Sequence, residues 1–292
     1  MIKVRVPATS ANVGCGFDSL GLALKLYTYF TFEEIEAGFE LVGFDEKFNN
    51  ENNLVYKTFL YTLEKLGKIV KGVKIGIESN VPVSRGLGSS STCVVGGIYG
   101  AYALLGLPLD RDEIFNIASE IEGHPDNVSP AIYGSLTASC MCDDGSAMTV
   151  NYDIDSRFKF MALVPNFETS TEEARAIMPD SYSKADALYS STRIGLVLKA
   201  FENYDLRTLK KVMGDKIHEP YRRKIIHEYD EVREICQRVD SIAFMISGSG
   251  STLLNVYKNE ASAKKVREKL ASLKSEWQLL ELKVDKKGTV VL

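Results

Sequence analysis

The sequence predicts an α+β protein built as two domains, residues 1–155 and 156–292. Three observations carry that reading. Strand-like runs come in local groups, with helical stretches between them but no regular strand–helix alternation. A chain of 292 residues has room for two domains of ordinary size. The stretch 153–157 separates two such groups without a proline-rich linker, so the halves are expected to share an interface.

In order along the chain, residues 2–6 alternate apolar and basic side chains, as a short strand does. Residues 7–18 are small, polar and glycine-rich, and read as a loop carrying Asn12 and Asp18. Residues 20–35 are rich in Leu, Tyr, Phe and Thr and read as extended. A turn at 49–53 precedes a helix over 54–66, which Gly67 ends. A strand at 71–80, a glycine loop and a helix over 93–106 follow. Gly96, Gly97 and Gly100 lie inside that helix, where each costs about 1 kcal/mol against alanine. Such a helix is expected to be central and tightly packed. Asp110 caps the next helix, with Glu113 in capping-box position, and Ile114, Ile117, Ala118 and Ile121 form its buried stripe. A hairpin follows, 135–141 and 148–152, turned by 143–145. The second half reads as a strand at 158–165, helices at 171–178, 183–204, 206–213 and 229–239, strands at 241–246 and 252–257, a helix at 260–273 and a strand at 277–284. The segment 219–223 breaks the helical pattern.

The composition, 45% apolar and 25% charged, is that of a soluble globular chain. A net charge of −4 opposes a nucleic-acid protein that relies on a basic face. The five cysteines are odd in number and scattered, so neither a disulfide frame nor a zinc pattern is expected. No signal peptide starts the chain and no apolar run approaches the ~18 residues of a membrane span, which predicts a cytoplasmic protein.

The chemistry centres on Pro82, Val83, Ser84, Arg85, Gly86, Leu87, Gly88, Ser89, Ser90, Ser91 and Thr92. A strand, a glycine loop and a helix N-terminus together form an anion site, because the first amides of a helix have no internal partner. Two familiar loops are excluded: no Lys follows Gly88, and position 91 is Ser rather than a third glycine. A helix end contributes only ~0.3–2 kcal/mol per anion. A triphosphate therefore calls for Mg²⁺ and a carboxylate ligand, for which Glu120, Glu122 and Asp126 are the candidates. The helical wheel alone does not choose between Glu120 and Glu122. A second glycine loop, 247–251, lies between two strands and suits bracing the first loop or completing the floor of a site. Arg175 and Arg222 suit a carboxylate, and Asp18 suits an ammonium group, which together describe an amino-acid substrate.

Five motifs in this order, at 7–18, 82–92, 123–127, 219–222 and 246–250, resemble those of the homoserine kinases, a branch of the GHMP small-molecule kinases. The resemblance covers nearly the whole chain. It implies the two-domain GHMP kinase fold, with a ribosomal-protein-like N-terminal domain holding a left-handed βαβ crossover and a ferredoxin-like C-terminal domain. It implies ATP-dependent phosphorylation of the side-chain hydroxyl of L-homoserine, a step toward threonine. Residues 82–92 would surround the triphosphate and Asn53 would lie on the adenine side. Ser90, over Ser89 and Ser91, and Glu120, over Glu122, would hold Mg²⁺. Asn12, Asp18, His124, Asn127, Thr171, Arg175 and Arg222 would contact the amino acid. Asp126 would support catalysis without being assigned as a base. A homodimer is implied, with neither nucleic acid nor membrane as partner.

Overall fold

The first strand, β1 (Ile2–Ala11), runs five residues beyond its alternating stretch. Pro7 and the small polar residues after it look like a loop, yet in the computed structural model, which describes residues 1–292, they remain in the sheet. The register with the next strand shifts between Pro7 and Ala8, where a residue without an N–H is tolerated. Thr9 and Ser10 are buried, but both are satisfied: Thr9 N–H donates to Leu87 O at 3.2 Å, and the Ser10 hydroxyl meets the Ser247 hydroxyl at 2.8 Å.

The first half continues with β2 (Leu20–Glu34), β3 (Gly38–Val42), α1 (Leu54–Lys65), β4 (Gly72–Ser79), α2 (Ser89–Leu104), α3 (Arg111–Glu122), α4 (Val128–Tyr133), β5 (Leu136–Met141) and β6 (Ala147–Tyr152). The second half holds β7 (Lys159–Pro165), α5 (Thr171–Ala176), α6 (Lys184–Ser191), α7 (Ile194–Asn203), α8 (Leu206–Val212), α9 (Glu219–Arg222), α10 (Tyr229–Gln237), β8 (Ala243–Ile246), β9 (Leu253–Tyr257), α11 (Glu260–Leu270) and β10 (Trp277–Leu282). A two-residue β11 (Val290–Val291) then returns to pair with β1. β3 and β11 have no counterpart in the sequence reading: β3 is short, mostly exposed and begins at a glycine, and β11 is only two residues long. The single helix expected over 183–204 is two. The Ser190 hydroxyl donates to buried Asp215 and accepts from Lys216 N–H, and the chain turns after it.

β2 is the spine of a seven-stranded sheet. Its start pairs with β5, its end with β4, and its other edge with β1. The unit β3–α1–β4 joins two parallel strands. The second sheet, ordered β10-β7-β9-β8, is antiparallel throughout. With α11 and α10 on one face it has the ferredoxin-like arrangement.

The glycines inside α2 set how deeply it sits. A Cβ on Gly96 would lie 2.4 Å from the Phe30 ring, and one on Gly100 would lie 2.3 Å from Phe32. The helix therefore rests directly on β2, and its burial between sheet and neighbouring helices is nearly complete. The largest apolar cluster is shared by both halves: Leu22, Leu24 and Leu136 from the first sheet meet Phe160, Met245 and Leu254 from the second, with Val197 and Phe201 of α7 between. This shared core holds the ends of β1 and β8 together, and the two glycine loops with them.

Candidate active site

α2 begins at Ser89 with Gly88 as its N-cap, in the left-handed region at φ 68°, and no side chain caps it. Its first amides are open to an incoming anion. A Cβ on Gly88 would fall 1.9 Å from Thr9 Oγ1, so only glycine fits. The Thr9 hydroxyl in turn donates to Asn127 Oδ1 at 2.8 Å. Ser84, Gly86, Gly88, Ser89, Ser90 and Ser91 line a cleft of about 390 Å³.

The other five residues of the loop do not line it. Leu87 belongs to the shared core and Thr92 is buried within the helix turn, its hydroxyl on Ser89 O. Pro82, Val83 and Arg85 face a separate groove on the β7 side. The Arg85 guanidinium donates to Pro165 O at 3.0 Å and Asn166 O at 3.2 Å and pairs with Glu168 at 3.0 Å. Its cation docks the loop on the second half.

The carboxylate at the head of the cleft is Glu122, not Glu120. Ser90 Oγ donates to Glu122 Oε1 at 3.0 Å. Residues two positions apart on an α-helix are about 200° apart around its axis. Glu120 accordingly points the other way, accepting from the Tyr61 hydroxyl at 2.6 Å and from Lys65 Nζ at 3.0 Å. Those two partners hold the Glu120 carboxyl below the usual range. Burial pushes Glu122 up, opposed by the Ser90 hydroxyl and by His124. The structure thus brings Glu122 to the cleft and leaves Glu120, the expected metal ligand, outside it.

Asn53 also lies outside the cleft. It is 4% exposed and is the N-cap of α1, its Oδ1 accepting from Val55 and Tyr56 N–H and its Nδ2 donating to Phe48 O. Its Oδ1 and one hydrogen of its Nδ2 are engaged by the backbone, so the carboxamide is committed to capping α1.

All seven residues expected at the amino-acid end line the cleft. Asn12 and Asp18 sit in left-handed turns, and Asn12 Oδ1 accepts Asp18 N–H at 2.9 Å while its Nδ2 donates to Gly248 O at 3.1 Å. Arg175 grips Asp18 with both terminal nitrogens, at 3.0 and 3.3 Å. Arg222, only 2% exposed, donates to Ala174 O at 3.1 Å and Gly248 O at 3.0 Å and lies 5.0 Å over the Phe17 ring. Burial lowers its pKa, with the Asp18 charge opposing. His124 Nδ1 is 3.1 Å from Asp126 Oδ1, a bond that raises the imidazole pKa. Thr171 and Ser249 face each other across 3.5 Å.

Gly248 and Ser249 of the second glycine loop complete the floor, one of the two roles its sequence suggested, and Thr169 and Ser170 add lining that was not assigned to the site from sequence. Ser170 caps α5 by accepting Glu173 N–H, and its Ser-x-x-Glu spacing was the available signal. No lining side chain is apolar, which suits phosphate and a zwitterion better than a hydrophobic ligand.

Comparison with known proteins agrees with the architecture. Residues 53–135 match the model of the GHMP kinases N terminal domain and residues 197–275 that of the GHMP kinases C terminal domain. The chain is 43% identical over 293 residues to a homoserine kinase of Clostridium botulinum, spanning 100% of this chain and 98% of that relative. The crystal structure of a homoserine kinase from Cytophaga hutchinsonii superposes with a TM-score of 0.88 at 26% identity, covering 100% of this chain and 97% of the other. The Methanococcus jannaschii mevalonate kinase shares the fold, with a TM-score of 0.71 at 16% identity over 97% and 98% of the two chains.

Proposed function

The chain belongs to the homoserine kinases within the GHMP kinases, and from that premise we propose that its cleft transfers the γ-phosphoryl group of ATP to the side-chain hydroxyl of L-homoserine, giving O-phospho-L-homoserine for threonine biosynthesis. One juxtaposition carries the assignment to this cleft: a helix N-terminus with Ser90 and Glu122 lies at one end, and Asp18, Arg175 and Arg222 lie at the other.

The open amides of α2 and the backbone of Gly86 and Gly88 receive the phosphates. Ser90 and Glu122 supply two hard oxygen donors 3.0 Å apart, the donor type Mg²⁺ takes. No group of three or more His, Cys, Asp or Glu side chains gathers to hold a metal, so the ion's remaining ligands would be phosphate oxygens and water. Bound there, Mg²⁺ would neutralise charge on the transferring phosphoryl group.

The amino-acid end is matched to a zwitterion. Asp18 and Arg175 bond to each other in the structure. A substrate bearing both an ammonium and a carboxylate offers each of them a replacement partner, whereas an uncharged alcohol offers neither. Both side chains are more than a third exposed, so opening the pair costs little, about 0–1 kcal/mol. Thr9 fixes Asn127 through its Oδ1, which leaves Nδ2 for the substrate. Asp126 holds His124, and the pair supports the hydroxyl end of the site. Transfer then rests mainly on positioning and charge neutralisation.

We place the division between the two domains at 155/156, just before β7, with β11 returning to the first sheet. The family resemblance extends the reading to a cytoplasmic homodimer, a mass that light scattering reads directly. No helix is long and apolar enough to cross a membrane.

Incubation with Mg-ATP and L-homoserine is expected to yield a phosphomonoester on the side-chain oxygen, detected by phosphorus NMR. N-acetyl-L-homoserine, which lacks the ammonium charge, should be turned over far less well. Turnover of mevalonate or a sugar with none of L-homoserine would overturn the reading.

A further inference from the structure

A second cleft, of about 330 Å³, opens where β1 and β2 meet the segment linking β10 to β11. It shares no residue with the catalytic cleft. Its walls carry Arg5, Lys25, Lys283, Lys286 and Lys287, against one carboxylate, Asp285. Lys286 pairs with Asp153 at 2.6 Å. The other four cations take part in no ion pair. Asp285 is buried and already engaged, accepting from the Tyr27 hydroxyl and from the N–H groups of Lys287 and Gly288. Arg5 lies 4.6 Å over the Tyr27 ring, and its buried Nε has no hydrogen-bond partner.

Four cations without an ion-pair partner around one concavity repel one another, and they do so in a chain whose net charge is −4. An anion seated among them would relieve that repulsion at several points at once. We propose that this cleft binds a small phosphate-bearing anion. Lysine is a point-charge partner for phosphate and arginine a forked one, and both types are present. The volume suits a small molecule, since ligand pockets run from about 300 to 1,000 Å³. The cations converge on a cleft in an acidic protein, which is the opposite of the extended basic face a polynucleotide requires. The occupant bridges strands β1 and β2 to residues 283–287, so it stabilises the return of the C-terminal segment to the first sheet.

The test is hydrogen exchange on the full chain during titration with orthophosphate and, separately, O-phosphoserine, at constant ionic strength set with chloride. Peptides covering 25–27 and 283–287 are read apart from those covering 84–92. The expected result is saturable protection at 25–27 and 283–287. It should weaken at least tenfold in the Lys25→Gln/Lys283→Gln/Lys287→Gln variant, which alters only exposed side chains and should leave ADP release from Mg-ATP and L-homoserine unchanged. Stronger protection by O-phosphoserine identifies a phosphorylated metabolite as the occupant, and stronger protection by orthophosphate identifies the free ion. Protection confined to 84–92, no protection by either probe, or protection undiminished in the variant would overturn the proposal.

Discussion

The loops at 84–88 and 247–250 are both built largely from glycine and serine, and each holds two glycines with left-handed φ. They nevertheless do opposite things. The first is followed by a helix, so its backbone ends in amides with no internal acceptor, and these face the cleft. The second is followed by a strand, and apart from Ser249, which faces the cleft, its polar groups bond to the surrounding chain. The Ser247 hydroxyl donates to Gly86 O at 2.6 Å, Gly248 N–H donates to Ala11 O at 3.0 Å, and Gly248 O receives both Asn12 and Arg222. The second loop is thus a brace: it fixes the first loop at Gly86 and the amino-acid end at Asn12 and Arg222. The residue types match, and the element that follows each loop decides its role.

Gly88→Ala should break the first loop most severely. Alanine is strained at φ 68° and its Cβ would strike Thr9 Oγ1, so the start of α2 must move. A displacement of about 1 Å at a reacting site costs on the order of 100-fold. That loss is expected in kcat/KM for ATP, with a much smaller change in melting temperature. Arg175→Ala comes next: losing a charged, forked hydrogen bond of about 1.5–3 kcal/mol should raise KM for L-homoserine roughly 10–100-fold. An effect on ATP affinity alone would remove Arg175 from the amino-acid end. Ser247→Ala should be milder and of a different kind. Loss of the brace should lower stability by about 1–2 kcal/mol in urea melts and change KM for either substrate only a few-fold. Abolished turnover with an unchanged melt would erase the distinction between the loops.

The smallest effect concerns the support of α9, which carries Arg222 to the second loop. His218, the residue before α9, is fully buried, stacked on Phe17 at 5.5 Å, with Nε2 3.2 Å from Gly14 O. Burial lowers its pKa. A folded pKa below the unfolded value, about 6.5, gives stability that is present above 6.5 and lost as pH falls through the folded value. Melting temperature should decline as pH falls from about 6.5 to the lowered folded value, and His218→Gln should flatten part of the decline. An unchanged slope would show that other groups carry it.

Much of this organisation was legible from residue order. The Gly96–Gly100 stripe announced a buried helix because only a missing Cβ lets α2 rest on Phe30 and Phe32. Asp110 and the stripe at Ile114, Ile117 and Ala118 located α3 correctly. Asp18, Arg175 and Arg222 stood out by their charge, the family resemblance added Asn12, His124, Asn127 and Thr171, and the cleft holds all seven. What was not legible depended on partners distant in sequence. Thr9 and Ser10 look like loop residues until Leu87 and Ser247 are there to satisfy them. Asn53, which the family resemblance placed on the adenine side, lies outside the cleft and caps α1. The choice between Glu120 and Glu122 needed the positions of Tyr61, Lys65 and Ser90, which no helical wheel contains.

The Ser90–Glu122 pair is the feature on which the proposed transfer most depends. The most direct measurement is ADP release from Mg-ATP and L-homoserine by the unmodified protein and by Glu120→Gln and Glu122→Gln. Loss of at least about 100-fold is expected in Glu122→Gln, consistent with removal of a charge-stabilising group. Near-normal turnover is expected in Glu120→Gln, whose partners lie on the outer face of α1. The reverse pattern, or no homoserine-dependent ADP from the unmodified protein, would contradict it.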